Sequence, residues 1–134
     1  MNDFANEIFT AVAVPTREAH PDVTFIGEYV RKPSKFPCAT LDEIENVIIP
    51  KLEDNSRREV FSGLKYRLQT FSNKKSGKKA EARAIFKTAD NEMRRLGFRR
   101  VSYSTTPEIY ESTVYSITAT YEAIIDENGT IYRR

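Results

Sequence analysis

The chain has 134 residues, 40% hydrophobic and 30% charged, with five glycines and six prolines; this predicts one globular domain over residues 1–134. Twenty-one basic and nineteen acidic residues leave a net charge of +2, a near-balance that argues against a dedicated nucleic-acid binder. The single cysteine, Cys38, excludes an internal disulfide, and the single histidine, His20, argues against a histidine metal centre or a histidine-based triad.

In chain order, residues 2–13 place Phe4, Ile8, Ala11 and Val12 at helical spacing, with Asn2 or Asp3 as cap. Pro15 is expected to end or kink this helix, with a short second turn over 16–19. A first strand follows at 23–29 and a second at 37–43, with Pro37 confined to its start or to an edge. In 46–56 the apolar Val47, Ile48, Ile49 and Leu52 are interrupted by Pro50 and followed by a polar turn. Strand character returns over 57–71, with Gly63 as an expected bulge or bend.

The loop Ser72-Asn73-Lys74-Lys75-Ser76-Gly77-Lys78-Lys79 leads into a helix over 78–96. Ala82, Ile85, Phe86, Ala89, Met93 and Leu96 form one apolar stripe along it. Gly97 provides a left-handed stop, and Arg94 and Arg95 suit the negative end of the helix dipole. Strands are expected at 98–103 and 113–125, the latter alternating Tyr115, Ile117, Ala119, Tyr121, Ala123 and Ile125 with mostly polar residues. Asn128-Gly129 predicts a hairpin turn, and Thr130-Ile131-Tyr132 a short returning edge strand. The fold expected is α+β: a mostly antiparallel β-sheet with the long amphipathic helix and the N-terminal helix packed on one face.

Asp3 and Glu7 break the basic-then-apolar start of a secretory leader, and no apolar run approaches the roughly 20 residues of a membrane span. The expectation is therefore a soluble protein from a reducing compartment, with no membrane partner. No cofactor is implied. The lysine loop lacks the glycine spacing of a phosphate-binding loop. Asp42, Glu43 and Glu45 cluster, as do Glu53 and Asp54; such carboxylates suit solvated strand ends and loops, or a cation or acid–base site.

Lys74, Lys75, Lys78 and Lys79 crowd the positive end of a helix dipole, where each exposed cation costs about 0.3–1 kcal/mol. They read as a solvated loop, as a contact for an acidic protein surface, or as a nucleic-acid contact. The neighbouring aromatics, Tyr66 and Phe86, fall on expected core faces, which weakens the nucleic-acid reading. Arg57-Arg58 and Arg99-Arg100 are further basic pairs that the sequence does not join into one stripe.

Several segments together resemble small tail proteins of siphophages and of prophages in Gram-positive bacteria. They are Gly27-Glu28-Tyr29-Val30 with Phe36-Pro37-Cys38, the run from Phe71 through the lysine loop to Ala82, Leu96-Gly97-Phe98-Arg99-Arg100, Ile109-Tyr110, Thr113-Val114-Tyr115, and the ending Asn128-Gly129-Thr130-Ile131-Tyr132-Arg133-Arg134. The likeness runs from about residue 22 onward and is thinnest across 46–58. It resembles the tail terminator, or tail-completion, proteins of the neck. The resemblance implies a non-enzymatic structural protein of the virion, assembled in the host bacterial cytoplasm. It implies a ring of identical copies, often hexameric, that caps the tail tube and joins it to the head connector. The implied partners are copies of the chain itself, the major tail tube protein, the connector or stopper, and genomic DNA passing without base-specific contacts. Lys74, Lys75, Lys78, Lys79, Asp42, Glu43, Glu45, Glu53 and Asp54 are the candidate assembly contacts. A head-closure or stopper protein is the neighbouring alternative; a small nucleic-acid-binding module, and an enzyme with a carboxylate site at 42–45, are those from other classes.

Overall fold

A computed structural model describes residues 3–29, 33–49, 61–105 and 114–133. The elements in order are α1 (Ala5–Ala19), β1 (Thr24–Ile26), β2 (Cys38–Ile49), β3 (Phe61–Ser72), α2 (Lys78–Leu96), β4 (Arg99–Thr105), β5 (Tyr115–Asp126) and β6 (Ile131–Arg133). The expected α+β class holds. Six strands form one sheet in the order β1-β2-β3-β5-β4, with β6 paired to β5. The sheet is mixed, because β1 pairs parallel to β2; every other pairing among the described residues is antiparallel.

Alternation along the strands decides which side chains meet the helices. Ala39 and Leu41 of β2, Leu64, Tyr66 and Leu68 of β3, and Ile117, Ala119, Tyr121, Ala123 and Ile125 of β5 are all buried in one core cluster. Ile8, Val12 and Ala13 of α1 and Ala82, Ile85, Phe86, Ala89 and Met93 of α2 complete it. Ala82 and Ala89 are fully buried, and their small side chains bring α2 close to the sheet. The opposite face carries Lys65, Arg67 and Gln69 of β3 and Thr118, Thr120 and Glu122 of β5. At one end a second cluster of Cys38, Phe71 and Val114, with Ile26 and Phe36 packed against it, closes that face.

Several boundaries depart from expectation. α1 runs through Pro15 instead of stopping at Ala13. Proline removes one helical N–H, but Ile8, Val12 and Thr16 stay buried on a single face, and that packing outweighs the lost bond. The Thr16 hydroxyl donates to the Val12 carbonyl at 2.8 Å within the same turn. Among the described residues no side chain caps α1: Phe4 is the N-cap, and Asp3 accepts the Ala5 N–H at 3.3 Å; the other expected cap, Asn2, lies outside the described residues.

β1 keeps three residues of the seven expected, while β2 runs on to Ile49. Gly63 is not a bulge; it pairs regularly with Val47 and with Ile124. The register shifts lie elsewhere, between Glu43 and Glu45 in β2 and between Arg100 and Ser102 in β4. Residues 50–60 and 106–113 lie outside the described residues. So do the expected turn after Ile49, most of the loop after β4, and the basic pair Arg57-Arg58.

α2 matches its expected limits at both ends. Gly97 adopts φ +109°, and its N–H and that of Phe98 close the helix onto the carbonyls of Arg94 and Met93. The Asn128-Gly129 hairpin returns as β6, as expected, with Ile131 opposite Ile125.

Candidate functional site

The lysine loop is open to solvent. Lys74, Lys75 and Lys79 are exposed, and Lys78 is half-buried. The loop is held at its base: the Ser72 hydroxyl donates to Glu81 at 2.5 Å and accepts the Lys74 backbone N–H at 3.3 Å. Gly77 turns the chain into α2 in a left-handed conformation, φ +88°. Among the described residues, no ion pair involves any of the four lysines.

Of the acidic candidates, Asp42, Glu43 and Glu45 lie in a strand and not in a loop. Asp42, Glu43 and Glu45 stand in the middle of β2, opposite Arg67, Tyr66 and Lys65 of β3. Asp42 is fully engaged. Its two carboxylate oxygens accept from Nε and an Nη of Arg67 at 3.2 and 2.7 Å, and the same guanidinium lies 4.2 Å over the Tyr29 ring. Glu43 Oε1 accepts from the buried Tyr66 hydroxyl at 2.9 Å. Glu45 is exposed. The reading of this group as solvated strand ends or loops is therefore corrected. Glu53 and Asp54 lie outside the described residues.

The fold assembles a cationic surface that the sequence left in pieces. Residues 74–100 hold ten basic and three acidic side chains, so the rest of the chain carries a net negative balance. All three acids are engaged within the fold. Glu81 holds Ser72, Glu92 pairs with Arg95, and Asp90 accepts from Arg94 at 3.0 Å and Arg100 at 3.3 Å. Lys79, Arg83 and Lys87 follow one another at four-residue spacing on the exposed face of α2. An open groove of about 660 Å³ between α2 and β4 is lined by Arg83, Lys87, Arg100 and Tyr103. Phe86 and Tyr103 meet edge-to-face at 5.2 Å on its wall, and Arg100 lies 5.2 Å over the Tyr103 ring.

From Arg100 in the groove a polar row that sequence reasoning missed runs across the sheet. Glu43, Tyr66, Tyr121 and Arg100 stand side by side across β2, β3, β5 and β4. The Tyr121 hydroxyl donates to Asp90 Oδ1 at 2.5 Å. Burial above all, with the carboxylates of Asp90 and Glu43 beside them, raises both tyrosine hydroxyls above their ordinary range. They stay neutral donors. The available signal was Asp90 itself, an acid lying four residues after Phe86 and three before Met93, on the margin of the apolar stripe.

On the helix-free face the next row is Glu45, Lys65, Glu122 and Arg99, an alternation of charge across the same four strands. Arg99 and Glu122 approach to 3.8 Å. Two further groups have defined states. Burial pushes the Cys38 thiol up to about 11, and the residue is 2% exposed. The Asp126 carboxylate accepts the N–H groups of Thr130 and Asn128, each at 2.9 Å, and the Tyr132 hydroxyl at 3.1 Å. These bonds, that from Thr130 foremost, hold it below the usual carboxylate value. Among the described residues, no group of three or more His, Cys, Asp and Glu side chains is arranged to hold a metal ion. No described helix is long and apolar enough to cross a membrane.

Compared with models of known protein families and with curated proteins, the chain finds no match.

Proposed function

We propose that the chain is a structural protein of a phage head–tail neck, a tail terminator whose copies close into a ring on the end of the tail tube. The resemblance of its segments to that family supplies the class. The observation that carries it is the segregation of charge: a basic α2–β4 side and an acidic β2 on opposite margins of one sheet. A subunit charged in this way suits head-to-tail contact with copies of itself, and the interface closes when the rotation between copies closes. Charge complementarity then orients docking and suppresses wrong partners more than it adds affinity. The four lysines are the surface for a neighbouring copy or for the tube. On this reading DNA passes through the ring without base contacts, and the other ring face meets the connector.

The test is imaging of purified protein mixed with tail tubes, with the mass of the free protein measured alongside. A ring of fixed copy number on tube ends supports a terminator. A ring bound to connectors but not to tubes points to a head-closure or stopper protein. Uncapped tubes with free monomers remove both.

The basic groove with Tyr103 and Phe86 on its wall favours a second reading, a nucleic-acid-binding module. Binding to DNA that weakens steeply as salt rises would support it, and no binding at low salt would remove it.

A further inference from the structure

Both open margins of the sheet are strands, and their properties are complementary. On its outer side β2 is covered by β1 only at Cys38, Ala39 and Thr40. Among the described residues, no strand pairs with the outer side of β2 beyond Thr40. At the other margin, among the described residues, β4 pairs only with β5. β2 contains three acidic residues and no basic one; β4 contains two arginines and no acidic residue. Neither strand has the lysine or proline that commonly blunts an edge. Each has a bulge, but the residues there, Ile44 and Val101, are apolar and exposed. Val47, Ile48 and Tyr103 add further exposed apolar surface at these margins, with Ile48 as much as 60% exposed.

Direction and register fit as well. β2 is antiparallel to β3, β3 to β5, and β5 to β4, so β4 and β2 run in opposite directions. A second copy with its β2 beside β4 therefore continues the antiparallel alternation. Both charged rows begin with a glutamate on β2 and end with an arginine on β4: Glu45 to Arg99 on one face, Glu43 to Arg100 on the other. Going up β4 from Arg99 to Arg100 matches going down β2 from Glu45 to Glu43, with Ile44 as the bulged residue between them.

We propose that copies of this chain join edge to edge, residues 99–103 of β4 in one copy against residues 41–45 of β2 in the next, with Arg99 facing Glu45 and Arg100 facing Glu43. The occupant of each edge is a second copy of the chain. The inference rests on the ring proposed above and adds which surfaces meet in it. The contact is heterologous, so it closes into a ring or runs on as a filament according to the rotation per copy. Directly opposed charges of opposite sign favour this register, and like charges there oppose it.

Charge exchange tests this in purified full-length protein, with mass read by sedimentation as concentration is raised. Wild type is expected to associate. Glu45→Lys alone and Arg99→Glu alone are each expected to remain monomeric, with unchanged circular dichroism. Mixing the two variants, or combining both changes in one chain, is expected to restore association, because every interface again joins opposite charges. Glu18→Lys, an exposed reversal on α1, is expected to associate like wild type. The edge pairing is overturned if wild type stays monomeric at its highest soluble concentration. It is equally overturned if both single variants associate as wild type does, or if mixing them restores nothing. Tube capping is read separately. Association through these edges without tube capping leaves the pairing standing and removes the terminator role. Capping by wild type and both single variants alike removes the pairing and leaves the neck role.

Discussion

The Tyr121 hydroxyl and the Asp90 carboxylate meet at 2.5 Å between the sheet and α2, both residues buried. Arg94 and Arg100 reach the same carboxylate from the rim, so one acid ties the helix to β5 and to the edge strand β4. Tyr121→Phe removes one donor and leaves Asp90 satisfied by the two arginines; a loss of about 1 kcal/mol is expected. Asp90→Ala strands the buried hydroxyl and should cost more, about 1–3 kcal/mol. Urea unfolding of both variants and their double mutant measures the coupling; strictly additive losses would mean the contact contributes nothing of its own.

The helix–sheet contact is close enough that volume changes should be felt in either direction. Ile85 is 1% exposed, and Ile85→Ala is expected to cost about 2–5 kcal/mol. Ala89 is fully buried under the same helix, and Ala89→Leu should cost about 1–3 kcal/mol by overpacking. Thermal unfolding followed by circular dichroism reads both. A neutral Ala89→Leu would show that α2 stands further from the sheet than described.

Stability should depend on pH at both ends of the scale. The lowered Asp126 carboxylate contributes stability that is present above its unfolded value near 3.8 and lost as pH falls through the lower folded value. The β5–β6 hairpin should therefore open in acid, seen as a lower protection factor of the Thr130 amide once the intrinsic exchange rate at each pH is divided out, and Asp126→Asn should flatten that dependence. The raised hydroxyls of Tyr66 and Tyr121 act in the opposite sense. Their contribution is complete below the unfolded value of 10.0 and falls as pH rises above it.

Reversing Lys74, Lys75, Lys78 and Lys79 to glutamate should leave the fold intact. Acidic side chains suit the helix N-terminus, so α2 should gain a few tenths to about 1 kcal/mol per exposed position. Assembly or tube capping should nevertheless fail. A variant that is more stable and still assembles normally would mark the loop as solvated only.

How far the sequence reached depended on the range of the interactions. α2 and β5 were legible because their periodicity is long and unbroken, and Gly97 and Gly129 mark turns by local conformation alone. α1 was cut short because Pro15 is a local signal, whereas the burial of Ile8, Val12 and Thr16 on one face is a tertiary one. β2 was ended at Glu43, with Pro50 interrupting the apolar run of 46–56 that follows it, while the pairing of Ile49 with Phe61 that extends the strand joins residues 12 apart in the chain. The four lysines were found as exposed charges. The groove was not, because Arg83 and Lys87 come from a helix and Arg100 from a strand, and only the α2–β4 packing brings them together.

Cys38 gives the molecule a clock of its own. Its thiol is buried beside Phe71 and Val114 and is held protonated well above neutral pH, so the thiolate that reacts with alkylating reagents is scarce in the closed sheet. Labelling at this one site should proceed only as fast as the β1–β2 end of the sheet opens. The same silence leaves a cysteine introduced on either margin as the sole reactive thiol, so that copies can be stitched together at a chosen strand without altering the core.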